Sequence, residues 1–176
     1  KHSTLRALLA VVVEKGLQLH QLDVKTAFLN GDLEEMIYMR QPPGYEQGGP
    51  KMVCHLHKSL YGLRQAPRAW HAKLKSELES MGFRASAADA SLFVRNHGDN
   101  VEYLLIYVDD ILIASKELTA VQSVKTELGS IFDVRDLGDR REVLLAAACL
   151  RSGRARPRRL TAMRRGGRTM PPCGRG

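Results

Sequence analysis

Leu104-Leu105-Ile106-Tyr107-Val108-Asp109-Asp110-Ile111-Leu112-Ile113-Ala114 sets two adjacent carboxylates between apolar runs on either side. Neither flank alternates apolar with polar, so both runs read as strands covered on both faces, deep in a sheet. So little chain separates the two runs that only a hairpin turn at Asp109-Asp110 can join them. Burying an unpaired carboxylate costs on the order of several kcal/mol, so the pair must lie at an exposed tip, be compensated by cations, or both. Taken alone, Asp-Asp is an ordinary acidic turn.

Outward from this stretch, residues 92–95 and 101–108 are strand runs joined by Asn96-His97-Gly98-Asp99-Asn100, which is hairpin material. Residues 117–131 place Leu118, Val121, Val124, Leu128 and Ile131 on one helical stripe. A second helix is predicted over 67–81, with Pro67 at its start, Trp70, Leu74, Leu78 and Met81 at helical spacing, and Gly82 as its stop. Trp70 reads as core. Near the beginning, Leu5, Leu8, Leu9, Val12 and Val13 mark a third helix, with Ser3 or Thr4 as N-cap and Gly16 as terminator. Residues 30–58 are turn-rich and read as a small β excursion, with strand candidates at 36–40 and 52–57.

A third carboxylate has similar framing. In Leu22-Asp23-Val24-Lys25 apolar and charged residues alternate, so Leu22 and Val24 face inward and Asp23 lies on the opposite, accessible face. Alone, Asp23 is a surface residue; three converging carboxylates suit a hard divalent ion such as Mg²⁺. The other candidate sites do not assemble. His55 and His57 alternate on one strand while Cys54 faces the other side, so no tetrahedral ligand set forms, and no nucleophile-elbow sequence occurs.

The composition limits what remains. The length of 176 residues and 44% hydrophobic content suit one domain with a tail, and no run reaches the ~18 to 20 apolar residues of a membrane helix. Three scattered cysteines, Cys54, Cys149 and Cys173, provide no disulfide framework and fit a reducing compartment. The net charge of +8 is local: residues 151–176 hold nine of the 27 Lys/Arg and no acid, while all 19 acids and the other 18 bases lie in residues 1–150, which carry −1. The folded part therefore has no global charge that would draw a polyanion. The Arg/Gly/Pro-rich end cannot repay ordering entropy and reads as a disordered tail.

Three phrases occur in order: Leu22-Asp23-Val24-Lys25-Thr26-Ala27-Phe28-Leu29-Asn30-Gly31, then Ser59-Leu60-Tyr61-Gly62-Leu63-Arg64-Gln65-Ala66-Pro67-Arg68-Ala69-Trp70, then Tyr107-Val108-Asp109-Asp110. Together they resemble the successive motifs of reverse transcriptases. The wording of the first two, with Tyr38-Met39-Arg40-Gln41-Pro42-Pro43-Gly44-Tyr45 between them, is particularly similar to copia-type long-terminal-repeat retrotransposons. The resemblance spans about residues 3–138. It implies an α+β fold: a polymerase palm-type antiparallel sheet backed by helices, with a partial fingers excursion, over residues 1–139; residues 140–176, Arg/Gly/Pro-rich, depart from the family pattern and read as an atypical tail.

The resemblance also implies an RNA-directed DNA polymerase working on an RNA or DNA template with a primer and deoxynucleoside triphosphates. Asp23, Asp109 and Asp110 would be the palm carboxylates holding two Mg²⁺ ions, with Asp110 supporting the other two. The backbone of Val24, Lys25, Thr26 and Ala27 would lie near the triphosphate. Phe28 matches the aromatic steric gate that excludes a 2′-hydroxyl; as a lone residue it is a core aromatic ending a strand. Tyr61 and Gly62 would flank the nascent base pair. Arg64, Pro67, Arg68, Tyr107 and Val108 would border the nucleic acid. An intact element would place the enzyme in a cytoplasmic virus-like particle.

The family's basic fingers residues would precede residue 1. Residues 140–149, Arg140-Arg141-Glu142-Val143-Leu144-Leu145-Ala146-Ala147-Ala148-Cys149, replace an expected aromatic-Leu-Gly phrase. With the composition change beyond them, that points to a reading-frame change near residue 140. Three rivals follow: a catalytically dead remnant, a non-specific RNA-binding module acting through Arg164-Arg165-Gly166-Gly167-Arg168 and its neighbours, and another palm-like nucleotidyl transferase or cyclase. The last leaves residues 61–70 unexplained.

Overall fold

The computed structural model describes residues 2–49, 51–98 and 100–141. The chain runs through helix α1 (His2–Lys15), strand β1 (Gln18–Val24), a 3-10 turn (Ala27–Asn30), strands β2 (Asp32–Arg40) and β3 (Val53–Lys58), and helix α2 (Ala66–Ser80). It continues through β4 (Arg84–Ala85), β5 (Leu92–His97), β6 (Asn100–Tyr107), β7 (Asp110–Ser115), helix α3 (Leu118–Ile131) and β8 (Val134–Asp139). The result is a mixed α/β fold whose main sheet has the order β4-β5-β6-β7-β1-β8, with β2 and β3 forming a separate ribbon. Each strand of the main sheet runs antiparallel to its neighbours.

The unbroken apolar runs flanking Asp109-Asp110 have the predicted cause, because both faces of the sheet centre are covered. On one face α2 and α3 bury Trp70, Leu74, Leu78, Val121, Val124 and Leu128 against Leu22, Val24, Leu104, Ile111 and Ile113. On the other, α1 packs Leu8, Leu9 and Val12 over Leu19, Leu105, Leu112 and Ala114. Successive strand residues feed opposite cores, so alternation in polarity disappears from β6 and β7. No described helix is long and apolar enough to cross a membrane.

Three details depart from the sequence reading. The hairpin turn is Val108-Asp109, and Asp110 is already the first residue of β7, paired with Tyr107. Thr4 does not cap α1, since the helix begins at His2 and the Thr4 hydroxyl donates to the Asp89 carboxylate. Strand β8 was not anticipated: Val134 and Leu137 are its only large apolar residues, and it adds to the edge of β1 with a register shift at Gln21/Leu22. Of the expected tail over 140–176, residues 142–176 lie outside the described residues.

Candidate active site

The end of β1 lies between the β6–β7 hairpin and β8. Antiparallel register sets Asp23 directly opposite Asp110 on β7 and opposite Arg135 on β8. Direct cross-strand partners project to the same face, so Asp23 and Asp110 stand side by side. Asp109 is tied to the same spot by its backbone, because the Val24 amide donates to the Asp109 carbonyl at 2.9 Å. All three carboxylate residues are half-buried. Asp23 and Asp110 lie on the face opposite α2 and α3, since their strand neighbours Leu22, Val24 and Ile111 feed the core beneath those helices.

Two like charges opposed across strands repel, and a hydrogen bond to one of them offsets this in part. Gln21 Nε2 donates to Asp110 Oδ1 at 2.7 Å. Arg135 faces Asp23 in the β8 register, a placement invisible without β8. Among the described residues, no three His, Cys, Asp or Glu side chains converge closely enough to form a ready-made ion cage. The register thus brings the predicted carboxylates to one strand end without closing their oxygens on a common point. Their all-oxygen donor set suits a hard divalent cation.

The turn is strained. Val108 has φ 62° and is exposed at the tip, whereas Asp109 keeps a negative φ. Positive φ at the first central residue alone is the pattern of a type II′ hairpin, where glycine is preferred and a β-branched residue is an outlier. Both central carbonyls of the turn are held from outside it, that of Asp109 by the Val24 amide and that of Val108 by the Trp70 indole Nε1–H at 2.8 Å. The indole contact was missed at the sequence level, where Trp70 read simply as core; it is also core, buried and edge-on to Phe132 at 5.1 Å.

Downstream of Asp23 the backbone is tied to the β6–β7 turn and to the residue before β8. The amides of Val24 and Lys25 donate to the carbonyls of Asp109 and Asp133, both at 2.9 Å. The Lys25 ammonium pairs with the Asp133 carboxylate at 2.9 Å on the exposed surface. Thr26 adopts φ 48° and turns the chain into the 3-10 segment carrying Phe28. Phe28 is half-buried against the core and meets the Tyr61 ring at 4.7 Å. The aromatic thus lies between core and surface.

The middle motif locks onto the first. The Ser59 amide donates to Gly31 O at 2.9 Å, and its hydroxyl donates to Phe28 O. A Cβ on Gly31 would stand 2.8 Å from the Trp70 backbone nitrogen, so glycine there lets α2 approach. Gly62 has φ 96°, in the left-handed region that glycine tolerates. Arg64, Pro67, Arg68 and Tyr107 are exposed around this edge. His55 and His57 stack near Tyr38 on the β2–β3 ribbon, apart from the carboxylates.

Residues 1–152 match the family described as reverse transcriptase (RNA-dependent DNA polymerase). The chain is 44% identical over 146 residues to the retrovirus-related Pol polyprotein from transposon TNT 1-94 of Nicotiana tabacum, covering 82% of this chain and 11% of that protein. It is 44% identical over 137 residues to the corresponding polyprotein of transposon RE1 from Arabidopsis thaliana, covering 77% and 9%. A transposon Ty5-1 protein of Saccharomyces cerevisiae is 37% identical over 118 residues, covering 66% of this chain and 38% of that protein. The chain belongs to the reverse transcriptase family. It spans about a tenth of the plant polyproteins it matches.

Proposed function

We propose that this chain is the palm and part of the fingers of a copia-type retrotransposon reverse transcriptase, which adds deoxynucleotides to a primer 3′-hydroxyl on an RNA or DNA template. One observation carries this: Asp23 and Asp110 are direct cross-strand partners, and Asp109 is hydrogen-bonded through its backbone to the residue after Asp23. Asp23 and Asp109, with Asp110 in support, would hold two Mg²⁺ ions. When bound, such ions supply Lewis acidity that lowers the pKa of the attacking hydroxyl and neutralises charge on the attacking and leaving oxygens.

The chain's own residues bind and orient. Gln21 holds Asp110 in place and Arg135 offsets the concentrated negative charge. Phe28, braced by Tyr61, stands near the sugar of the incoming nucleotide and disfavours a 2′-hydroxyl. Tyr61 and Gly62 flank the nascent base pair, while Arg64, Pro67, Arg68, Tyr107 and Val108 border template and primer. In an intact element this chemistry belongs to a cytoplasmic particle.

Primer extension on an RNA template with Mg²⁺, using the segment within its longer polyprotein, tests the assignment. Extension by the natural protein and its loss in Asp109→Asn is the expected result. Equal extension by the two proteins contradicts the assignment.

A further inference from the structure

A buried tryptophan needs a partner for its indole N–H, and a phenylalanine would fill apolar space without that demand. The chain holds a single tryptophan, and its N–H partner is the carbonyl of Val108, the β-branched residue at φ 62° in the turn. In a two-residue hairpin the central peptide unit has no ladder partner, so its orientation is set from outside. Flipping that unit interconverts II′ and I′ turns and would put Asp109 at positive φ, redirecting its side chain. The Val108 carbonyl is one end of that unit, and Trp70 holds it.

We propose that Trp70 is a positioning residue whose indole N–H pins the central peptide of the Val108-Asp109 turn and thereby fixes the backbone from which the Asp109 carboxylate projects, at the strand end that carries Asp23 and Asp110. The clamp comes from beneath: Trp70 reaches the turn from the α2 face, opposite Asp23 and Asp110, and is seated by Phe132 and by the close approach of Gly31. A second tie, Val24 N–H to Asp109 O, fixes the other end of the turn to β1. Removing the first tie frees the central peptide, and the second then opens more often. The consequence for a bound cation rests on the metal role proposed above for the aspartates.

The test replaces Trp70 in the full chain with benzothienylalanine, which keeps the ring's shape and puts sulfur where the N–H was, alongside Trp70→Phe. Two quantities are read: amide hydrogen exchange along β1, and Mn²⁺ affinity by water-proton relaxation. For the analogue the expected result is exchange at the Val24 amide about 10-fold faster, with Leu22 and Ile113 unchanged, and Mn²⁺ affinity reduced about 5-fold. Unchanged exchange at Val24 overturns the proposal, as does a uniform increase across β1, which is what lost packing alone gives. Selective opening at Val24 with unaltered Mn²⁺ affinity also overturns it. Selective opening in a chain whose natural form binds no Mn²⁺ supports the clamp and contradicts the metal role instead, so the two failures are distinct.

Discussion

At the residue scale, the function proposed for the site works against the stability of the fold. Asp23 and Asp110 face each other across β1 and β7, and like charges in direct cross-strand positions cost about 0.2 to 1 kcal/mol. Asp110→Asn removes the repulsion and keeps an oxygen that accepts from Gln21. Urea denaturation at neutral pH and low salt should show this variant more stable than the natural chain by about that amount, even as it loses cation affinity. Gly31 is constrained from the opposite direction. An added Cβ would stand 2.8 Å from the Trp70 nitrogen and 2.9 Å from the Ala69 carbonyl carbon, both backbone atoms that cannot rotate away. Gly31→Ala should therefore destabilise the protein by about 1 to 3 kcal/mol and shift the fluorescence of its single tryptophan.

At the element scale, strands and helices that feed a core were readable because burial leaves a period. Trp70, Leu74 and Leu78 repeat at helical spacing in α2, and the double-sided apolar runs of β6 and β7 announced a covered sheet centre. Strand β8 left no such trace: it lies at the sheet edge, and polar contacts help to hold it. Lys125, buried in α3, donates to both oxygens of Asp136 in β8 at 2.7 and 2.8 Å and approaches His20 Nδ1 in β1 at 2.8 Å. The lysine is the donor, so Nδ1 accepts and the proton of a neutral ring lies on Nε2. Burial first, and then the Lys125 charge, hold the imidazole below its usual 6.5, with Asp139 and Asp136 partly opposing them. A lowered histidine pKa means that the unfolded chain binds the extra proton more readily, so stability rises with pH. The contribution is fully present above about pH 6.5 and is lost as pH falls through the lower folded value. Melting temperature measured between about pH 5 and 7 should climb in the natural chain and flatten in His20→Gln.

At the scale of the whole molecule, chain order and three-dimensional order meet at one strand end. Asp23 and the Asp109-Asp110 pair are far apart in sequence, yet antiparallel register makes them neighbours. Their residue types and apolar framing were legible in the sequence. Their surroundings were not, because the partners are backbone atoms or remote strands: the Val108 carbonyl for Trp70, the Asp133 carbonyl for the Lys25 amide, and Arg135 on a strand without apolar pattern. Paramagnetic broadening by Mn²⁺ in ¹H–¹⁵N spectra tests most directly whether this strand end holds the ion. Signals of Asp23, Val24 and residues 108–111 should broaden first, and Asp23→Asn should abolish the effect. Broadening that begins elsewhere, such as around Glu102 of β6 and Glu127 of α3, which both pair with Arg95, or that survives Asp23→Asn, would contradict the account.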